Sequence, residues 1–246
     1  MAPAQPADQT TDPARAVTAR PLLLIGGGEH ARVVADAAAT DPGGWHVVGF
    51  TDPRADLPAL GPSAAAHLGD DPSGLAGFAT TPSDDRPALI LAVGTVGDPG
   101  GRRRVAQSIE ALAGWACWAV VVHATAWVSP SAELGDGTVV LAGGIVNAGA
   151  SVGSHAVVNS RAVIEHDVRI GSFVHVGPGA VVGGGARIGS DVTIGMGALV
   201  RDHIAVGDGA TIGMGAVVVA DVPAGVTVAG SPARPLVAPA GSGVRA

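Results

Sequence analysis

Aliphatic residues recur at every sixth position from residue 122 to residue 223, and this spacing is the dominant pattern of the chain. Each six-residue row begins with Val, Ile or Leu; its second residue is often Gly and its fifth is almost always small or β-branched. A short fixed period is typical of a solenoid, in which each repeat is one structural unit stacked on its neighbours. Six residues suit a short strand and a tight turn. A flexible linker would have no reason to keep one register over this length, so we predict a folded solenoid.

Three six-residue rows close one triangular coil, so residues three rows apart are predicted to stack above one another. The result is three interior ladders made only of β-branched residues and Leu, which suit stacked strands. The ladders are Val122, Val140, Val158, Val176, Ile194 and Ile212; Val128, Val146, Ile164, Val182, Val200 and Val218; and Leu134, Val152, Ile170, Ile188 and Val206.

The residues before the repeats follow a different pattern, in which short apolar runs alternate with helical stretches. The order of strand, Gly-rich turn and helix at its start is the opening of a Rossmann-like unit. The predicted elements are strands at 21–25, 45–50, 88–93 and 116–122, and helices at 32–40 and 102–113. The segment 54–86, which is rich in Pro, Gly and Asp, permits no assignment.

These two patterns divide the chain into domains. We predict an α/β Rossmann-like domain at residues 20–121 and an all-β parallel β-helix at residues 122–236. The polar, Pro- and Ala-rich residues 1–19 and the last residues, 237–246, are predicted to be disordered tails.

Charge narrows the classes of partner. The net charge of −7 argues against nucleic acid, because phosphate binding needs a basic face. The single basic run, Arg102–Arg104, is interpreted as the solvated start of a helix rather than an anion site. The sequence shows neither the apolar core of a signal peptide nor a stretch long enough to span a membrane, so we expect no membrane partner.

The chain has one cysteine, Cys117, so no internal disulfide is possible and a reducing cytoplasm is the expected location. Because Cys117 lies in an apolar predicted strand, we expect a buried thiol rather than an acyl-enzyme nucleophile.

The Gly-rich turn Gly26–Gly28 precedes a helix, where free backbone N–H groups suit a phosphate or the edge of a ribose. One alternative is an NAD site with Asp52 on a ribose. A single small half of a Rossmann fold is too small for a dinucleotide, and no hydride chemistry is visible. A second alternative is that the glycines serve only a tight turn.

His166 is the strongest candidate for acid–base chemistry, because a base with a pKa near neutral is most often histidine. It is flanked by Glu165 and Asp167, and an adjacent carboxylate can hold the imidazole tautomer. Small residues are expected one coil below and one coil above it, namely Ala148 and Gly183–Gly185, which would leave room for a thin pantetheine arm. His155 and His203, by contrast, are interpreted as exposed corner residues.

Three segments together resemble a known family: the Gly-Gly-x-His turn of a Rossmann-like domain, the repeat stretch IEHDVRIGSFVHVGPGA, and the closing stretch VPAGVTVAGSPARPL. They resemble the bacterial nucleotide-amino-sugar N-acetyltransferases, which are related to the sialic acid O-acetyltransferases. The resemblance covers residues 20–236. It implies a left-handed β-helix, a homotrimer, and acyl-CoA bound in the groove between neighbouring prisms.

The resemblance also implies roles for individual residues. His166 would be the general base, Asp167 its partner, and His175 would reach the thioester carbonyl or the pantetheine. The implied nucleotide-sugar contacts are Gly26, Gly27, Gly28, His30, Asp52 and Asn159. The implied coenzyme A contacts are His175, Gly183, Gly184, Gly185, Gly230, Ser231, Pro232 and Arg234. Glu29 departs from the family, in which small residues are usual, so the loop could read a different sugar or nucleotide.

The function that follows is direct transfer of an acetyl group from acetyl-CoA to the amino group of a nucleotide-linked amino sugar. O-acetylation, or another acyl group or acceptor on the same fold, stays open as an alternative. A non-catalytic scaffold is a third reading. Zinc chemistry would need histidines that converge on one metal, and no spacing in the repeats provides that, so no metal is expected. The nucleotide and the sugar cannot be read from the sequence.

Overall fold

The structure is a computed structural model that describes residues 19–60, 64–94, 98 and 100–236. The two predicted tails lie outside the described residues, apart from Ala19. Among the described helices, none is long and apolar enough to cross a membrane.

The first part of the chain is a three-stranded parallel sheet with helices. Its strands are β1 (Arg20–Ile25), β2 (Trp45–Thr51) and β3 (Ala88–Leu91), in the order β2-β1-β3. The helices are α1 (Glu29–Thr40), α2 (Asp71–Ala76) and α3 (Gly101–Leu112), with a 3-10 turn at Ser83–Asp85. The central strand is buried on both faces, as the apolar run at its centre predicts. The Rossmann-like prediction is confirmed, and α1 begins three residues earlier than predicted.

The unassigned segment contains α2, which the sequence pattern did not reveal. This helix has only six residues, with a proline in its first turn and a glycine inside it. Asp70 caps it by accepting a hydrogen bond from the Ser73 N–H at 3.0 Å. Such a short helix has almost no periodicity, so only the cap could have indicated it.

The second part is a solenoid of about six turns, with three parallel sheets as its faces. The first face consists of Val121–Val122, Val139–Val140, Val157–Val158, His175–Val176, Thr193–Ile194, Thr211–Ile212 and Thr227–Ala229, closed by antiparallel Arg234–Pro235. The second face consists of Trp127–Val128, Ile145–Val146, Val163–Ile164, Val181–Val182, Leu199–Val200 and Val217–Val218. The third face consists of Glu133–Leu134, Ser151–Val152, Arg169–Ile170, Arg187–Ile188 and Ala205–Val206.

The three predicted interior ladders are confirmed, because the second residue of each two-residue strand pairs in register with its counterpart one coil away. The ladder residues form one continuous apolar core along the solenoid axis. Glycine at the second position of a row follows from the closeness of the coils. A Cβ at Gly153 or Gly171 would lie 2.7 Å or less from backbone atoms of the next coil.

The outward residues are the first residues of the two-residue strands, and their polarity differs from face to face. On the second face they are all apolar, and Trp127 and Leu199 are 58% and 45% exposed. On the third face they are mostly polar or charged, as at Arg169 and Arg187. The start of the first face is covered by the α/β domain, and Val139 there is fully buried.

Helix α3 fixes the α/β domain to the corner between the third and first faces. Arg102 Nη1 donates to the His155 carbonyl at 2.7 Å, and Arg103 donates to both carboxylate oxygens of Asp191. The Arg103 guanidinium also lies 4.4 Å from the centre of the Phe173 ring. His155, Phe173 and Asp191 all have left-handed backbone angles, φ 57° to 61°, at turn positions where other coils have glycine. The side chains at this corner therefore serve domain docking.

Three predictions about burial are wrong. Arg102 is 1% exposed instead of solvated, because its side chain lies between the domains. His155 is 5% exposed, since its ring stacks on Phe173 and meets the edge of Trp118. Cys117 is exposed, on the short segment whose Trp118 bridges Leu89 at the outer edge of β3.

Candidate active site

The Gly-rich turn after β1 requires glycine at residues 26 and 27 for different reasons, and at residue 28 a side chain would crowd Arg54. Gly26 has φ +104°, a conformation that other residues rarely adopt. A Cβ at Gly27 would lie 2.4 Å from the Phe50 ring. A Cβ at Gly28 would lie 3.3 Å from Arg54 Nη2. The turn thus brings bare backbone to the start of α1, which has no side-chain cap at Gly28.

Asp52, at the end of β2, organises this turn. Its Oδ2 accepts the Gly27 N–H at 2.8 Å, and its two oxygens accept Arg54 Nε and Nη2 at 2.8 Å each. The hydrogen bonds from Arg54 hold the pKa of the Asp52 carboxyl well below its usual range, and those from the backbone N–H groups of Arg54 and Gly27 add to the effect. Asp52 is therefore ionised and fully engaged.

A cleft of about 570 Å³ opens beside this turn, at the carboxyl ends of β1 and β3. In a sheet of order β2-β1-β3 this is the point where the strand order reverses, which is where open α/β sheets bind ligands. The lining combines the turn with the residues after β3: Gly26, Gly28, Glu29, His30, Asp52, Arg54, Ala92, Val93 and Gly94.

The inner end of the cleft meets the first face of the solenoid. The ring of His30 lies 6.2 Å from that of His175, and the Asn159 side-chain amide lies 3.3 Å from His175 Nε2. Burial is the main cause that lowers the pKa of His30 to about 4 and that of His175 to about 3, and the nearby Arg102 charge, together with His30 in the case of His175, contributes to these values. Both imidazoles are neutral at pH 7. The structure therefore brings three of the predicted substrate and cofactor residues together, although they come from distant parts of the sequence.

His166 and Asp167 lie at an exposed turn between the second and third faces. His166 Nδ1 is 3.0 Å from Asp167 Oδ2, and the His166 side chain is 61% exposed. The hydrogen bond that the Asp167 carboxylate accepts from His166 raises the pKa of His166, and the charges of Asp167 and Glu165 act in the same direction. A proton on Nδ1 leaves Nε2 as the acceptor, which is the arrangement that a general base needs.

The glycine run beside His166 has a structural cause that differs from the predicted one. A Cβ at Gly183 would lie 2.6 Å from the Asp202 backbone nitrogen. A Cβ at Gly184 would lie 2.7 Å from His166 Nε2, and one at Gly185 would lie 2.4 Å from the His203 ring. The His166 and His203 rings therefore lie against Gly184 and Gly185, and contact of this run with coenzyme A stays a prediction.

The closing segment forms the last turn of the solenoid. The Gly230 carbonyl accepts the Val217 N–H at 2.9 Å, and Ala233 N–H donates to the Val217 carbonyl at 2.8 Å. Ser231 and Pro232 are exposed at the tip, and exposed Arg234 begins the antiparallel strand. These residues are accessible beside the upper end of the second face, where a ligand along that edge would reach them.

Within one chain the two groups of residues remain apart. Among the described residues, no hydrogen bond, ion pair or ring contact joins His166 to the α/β domain. The His166 turn borders the second face on one side, and the Asn159 turn borders the same face on the other.

Sequence reasoning missed Arg54, which lies two residues after Asp52 in a segment without periodicity. The only signal was its position, directly after the Asp-Pro that ends β2. Among the described residues, no group of three or more His, Cys, Asp or Glu side chains is placed to hold a metal ion.

The chain is similar to known proteins over almost its whole length. A family model described as bacterial transferase hexapeptide (six repeats) matches residues 149–184 and 185–220. The acetyltransferase domain of PglB from Neisseria gonorrhoeae FA1090, solved with acetyl coenzyme A, is 36% identical, with 89% of this chain and 100% of that chain covered and a TM-score of 0.76. PerB from Caulobacter crescentus, solved with CoA and GDP-perosamine, is 32% identical, with 88% and 97% covered and a TM-score of 0.76.

A third solved structure, WeeI from Acinetobacter baumannii AYE, is 25% identical over 88% of this chain and 100% of that chain, with a TM-score of 0.65. A search of curated protein sequences gave no significant match.

Proposed function

The chain belongs to the left-handed β-helix acetyltransferases with hexapeptide repeats, and we propose that it transfers an acetyl group from acetyl-CoA to the amino group of a nucleotide-linked amino sugar. Solved structures that are 30% to 36% identical and almost fully covered include a perosamine N-acetyltransferase with GDP-perosamine and a PglB domain with acetyl coenzyme A. The observation in this chain that carries the proposal is the exposed His166, held by Asp167, at the edge of the solenoid.

His166 acts as the general base in this proposal. The amine nitrogen attacks the thioester carbonyl, and its proton passes to His166 Nε2 as the C–N bond forms. The C–S bond then breaks, and the thiolate leaves as coenzyme A and takes up a proton. Asp167 holds the ring in the tautomer that presents Nε2 and stabilises the imidazolium that forms. Transfer is direct, because the only cysteine, Cys117, lies on the α/β domain at the sheet edge.

The chain works as a homotrimer in this proposal, with the second face turned towards the common axis. The occupant of that face is a second copy of this chain, because the outward residues Trp127, Ile145, Val163, Val181, Leu199 and Val217 form an apolar strip that runs its full length. Three prisms arranged in this way place the Asn159 turn of one copy against the His166 turn of the next. Both turns belong to the same coil, so they meet at one height.

This arrangement completes the site. The cleft, His30, His175 and Asn159 of one copy bind the nucleotide-linked sugar and the thioester carbonyl, and His166 of the neighbouring copy removes the proton. Neutral His175 is a hydrogen-bonding group rather than a charge at that point. Acetyl-CoA lies along the seam between copies, where Gly230, Ser231, Pro232 and Arg234 are within reach of its nucleotide end and Gly183–Gly185 line the edge. Coenzyme A supplies the activated acyl group.

The proposal is tested with acetyl-CoA and a panel of UDP-, dTDP- and GDP-linked 4-amino sugars, with release of free thiol as the readout. His166→Ala should lose about 10²–10⁴ in rate if His166 is the base. His46→Ala is the control, since His46 is an exposed histidine on β2 and lies outside the cleft lining. Turnover on hydroxyl sugars alone would replace N-acetylation by O-acetylation, and a normal rate for His166→Ala would remove the base.

A further inference from the structure

We propose that Arg54 is the cation that binds the diphosphate of the nucleotide-linked substrate, and that Asp52 positions Arg54 instead of contacting the substrate. This inference rests on the proposed function, because that function supplies the diphosphate. It assigns a binding role to a residue in the segment that the sequence pattern left unassigned.

Asp52 has no acceptor capacity left for a ligand. Its Oδ1 accepts the Arg54 backbone N–H at 3.0 Å and Arg54 Nε at 2.8 Å, while its Oδ2 accepts Arg54 Nη2 and the Gly27 N–H at 2.8 Å each. These four bonds use the sites that two carboxylate oxygens offer. The carboxyl side chain is also only 7% exposed. A ribose hydroxyl could therefore bind Asp52 only by displacing Arg54 or the turn.

Arg54 is placed differently, because its side chain is 61% exposed and reaches back over the Gly-rich turn. Its Nη2 lies where a Cβ on Gly28 would be 3.3 Å away, so glycine at 28 makes room for the guanidinium. The Asp52 carboxylate holds the Nε edge of the fork, and the Nη1 group takes no part in any hydrogen bond among the described residues. A planar guanidinium fixed at one edge still presents donors at the other, which is the geometry that phosphate oxygens accept.

The start of α1 adds a second attraction for negative charge at the same place. The helix begins at Glu29, directly after Gly28, and no side chain caps its first N–H groups. Unpaired N–H groups and the helix dipole both favour an anion there. A diphosphate lying over Gly28 would contact these N–H groups and Arg54 together, inside the 570 Å³ cleft.

The other basic groups nearby are not suited to this task. His30 is neutral at pH 7, because burial and the Arg102 charge lower its pKa to about 4. Arg102 is only 1% exposed, so a phosphate cannot reach it without separating the domains. The cleft lining also contains two carboxylates: that of Asp52 is already paired with Arg54, and that of Glu29 is exposed and screened by water.

The test is calorimetric titration of the full chain with UDP, dTDP and GDP, and with the matching nucleosides, which lack phosphate. Arg54→Ala should weaken diphosphate binding about 10- to 100-fold, the range expected for loss of a charge-assisted pair of hydrogen bonds, and should leave nucleoside binding unchanged. Arg54→Lys should restore part of the loss, because it keeps the charge and loses the fork. In turnover assays KM for the nucleotide sugar should rise while kcat stays within a few-fold.

The matched control is Arg104→Ala, because Arg104 is also an exposed arginine paired with an aspartate, Asp98, and it lies outside the cleft lining. Titration with coenzyme A separates the two sources of phosphate: an Arg54→Ala defect for coenzyme A and none for nucleoside diphosphates would assign Arg54 to the donor and overturn the inference. Equal diphosphate binding by wild type and Arg54→Ala would also overturn it. If the wild-type chain binds no nucleoside diphosphate, the proposed acceptor itself fails, a result distinct from a failure of Arg54 alone.

Discussion

Gly184→Ala tests whether the position of the His166 ring controls the reaction. A methyl group at residue 184 would lie 2.7 Å from His166 Nε2 and 2.8 Å from Cε1, so the ring must rotate or shift. Because the ring is 61% exposed, it can move into solvent without disturbing the core. A displacement of about 1 Å in a catalytic group can cost about 10²-fold in rate, so we expect kcat to fall by about that factor. The loss of kcat in Gly184→Ala should not exceed that in His166→Ala, about 10²–10⁴-fold, because His166→Ala removes the ring altogether.

The stability of the Gly184→Ala variant should stay close to that of the wild type. The backbone of Gly184 is not among the left-handed glycines, so a Cβ there adds no backbone strain. Gly209→Ala provides the opposite control, because Gly209 has φ +65° and nothing within 4 Å of its Cβ position. That variant should lose about 1–2 kcal/mol of unfolding free energy through strain alone and keep a normal kcat.

The assay is release of free coenzyme A thiol with saturating acetyl-CoA and the best amino-sugar nucleotide, with thermal unfolding of each variant measured in parallel. The double variant Gly184→Ala/His166→Ala should be no slower than His166→Ala, because both changes remove the same group. A Gly184→Ala enzyme with full kcat and an unchanged melting temperature would refute the idea that Nε2 acts from its observed position. A further loss in the double variant would show that Gly184 has a separate role.

Three further predictions follow from the same structure. Asp167 raises the pKa of His166, and His166 acts as a base only when it is neutral. Asp167→Asn should therefore move the acidic limb of the kcat/KM profile to lower pH. An unmoved limb would show that Asp167 does not set the pKa of the catalytic base. Val163→Asp on the second face should convert the oligomer to monomers in light scattering, while Ser151→Asp on the third face should not; equal behaviour would place the interface elsewhere. Burial lowers the pKa of His155 to about 4, below its unfolded value of 6.5, so the unfolded chain binds more protons between these two pH values. The free energy of unfolding should therefore fall as the pH drops from 6.5 towards 4. His155→Phe should reduce that fall, as measured by urea unfolding.

The buried guanidinium of Arg102 explains why the burial of single residues was poorly predicted. In the sequence it belongs to a run of three arginines, which is most often solvated, and nothing local distinguishes it from Arg104. In the structure Arg102 is buried between the α/β domain and the solenoid, and Arg104 remains exposed. The difference arises because α3 places successive side chains on different faces and only one of these faces meets the solenoid corner.

His155 and Cys117 show the same dependence on domain docking. His155 occupies a turn position of the solenoid, and it is buried because Trp118 and Arg102 contact it from the α/β domain while Phe173 stacks on it from the solenoid. Cys117 occupies an apolar run that was predicted to be a buried strand, yet it is exposed, next to Trp118, which bridges Leu89 at the outer edge of β3. Both outcomes depend on contacts between residues far apart in the chain, and no local pattern carries that information.

The sequence by itself determined the solenoid, the content of its three interior ladders, the Rossmann-like order of strand, turn and helix, and the acid-flanked histidine at a turn. Each of these depends on the spacing of neighbouring residues, because a strand of fixed period repeats the same local geometry in every coil. The tertiary structure alone decided that His30 meets Asn159 and His175 at one end of a cleft, and that Asp52 holds Arg54 over Gly28. The first arrangement depends on how the sheet packs on the solenoid, which joins residues more than a hundred positions apart, and the second depends on how the turn after β1 packs against the residues after β2.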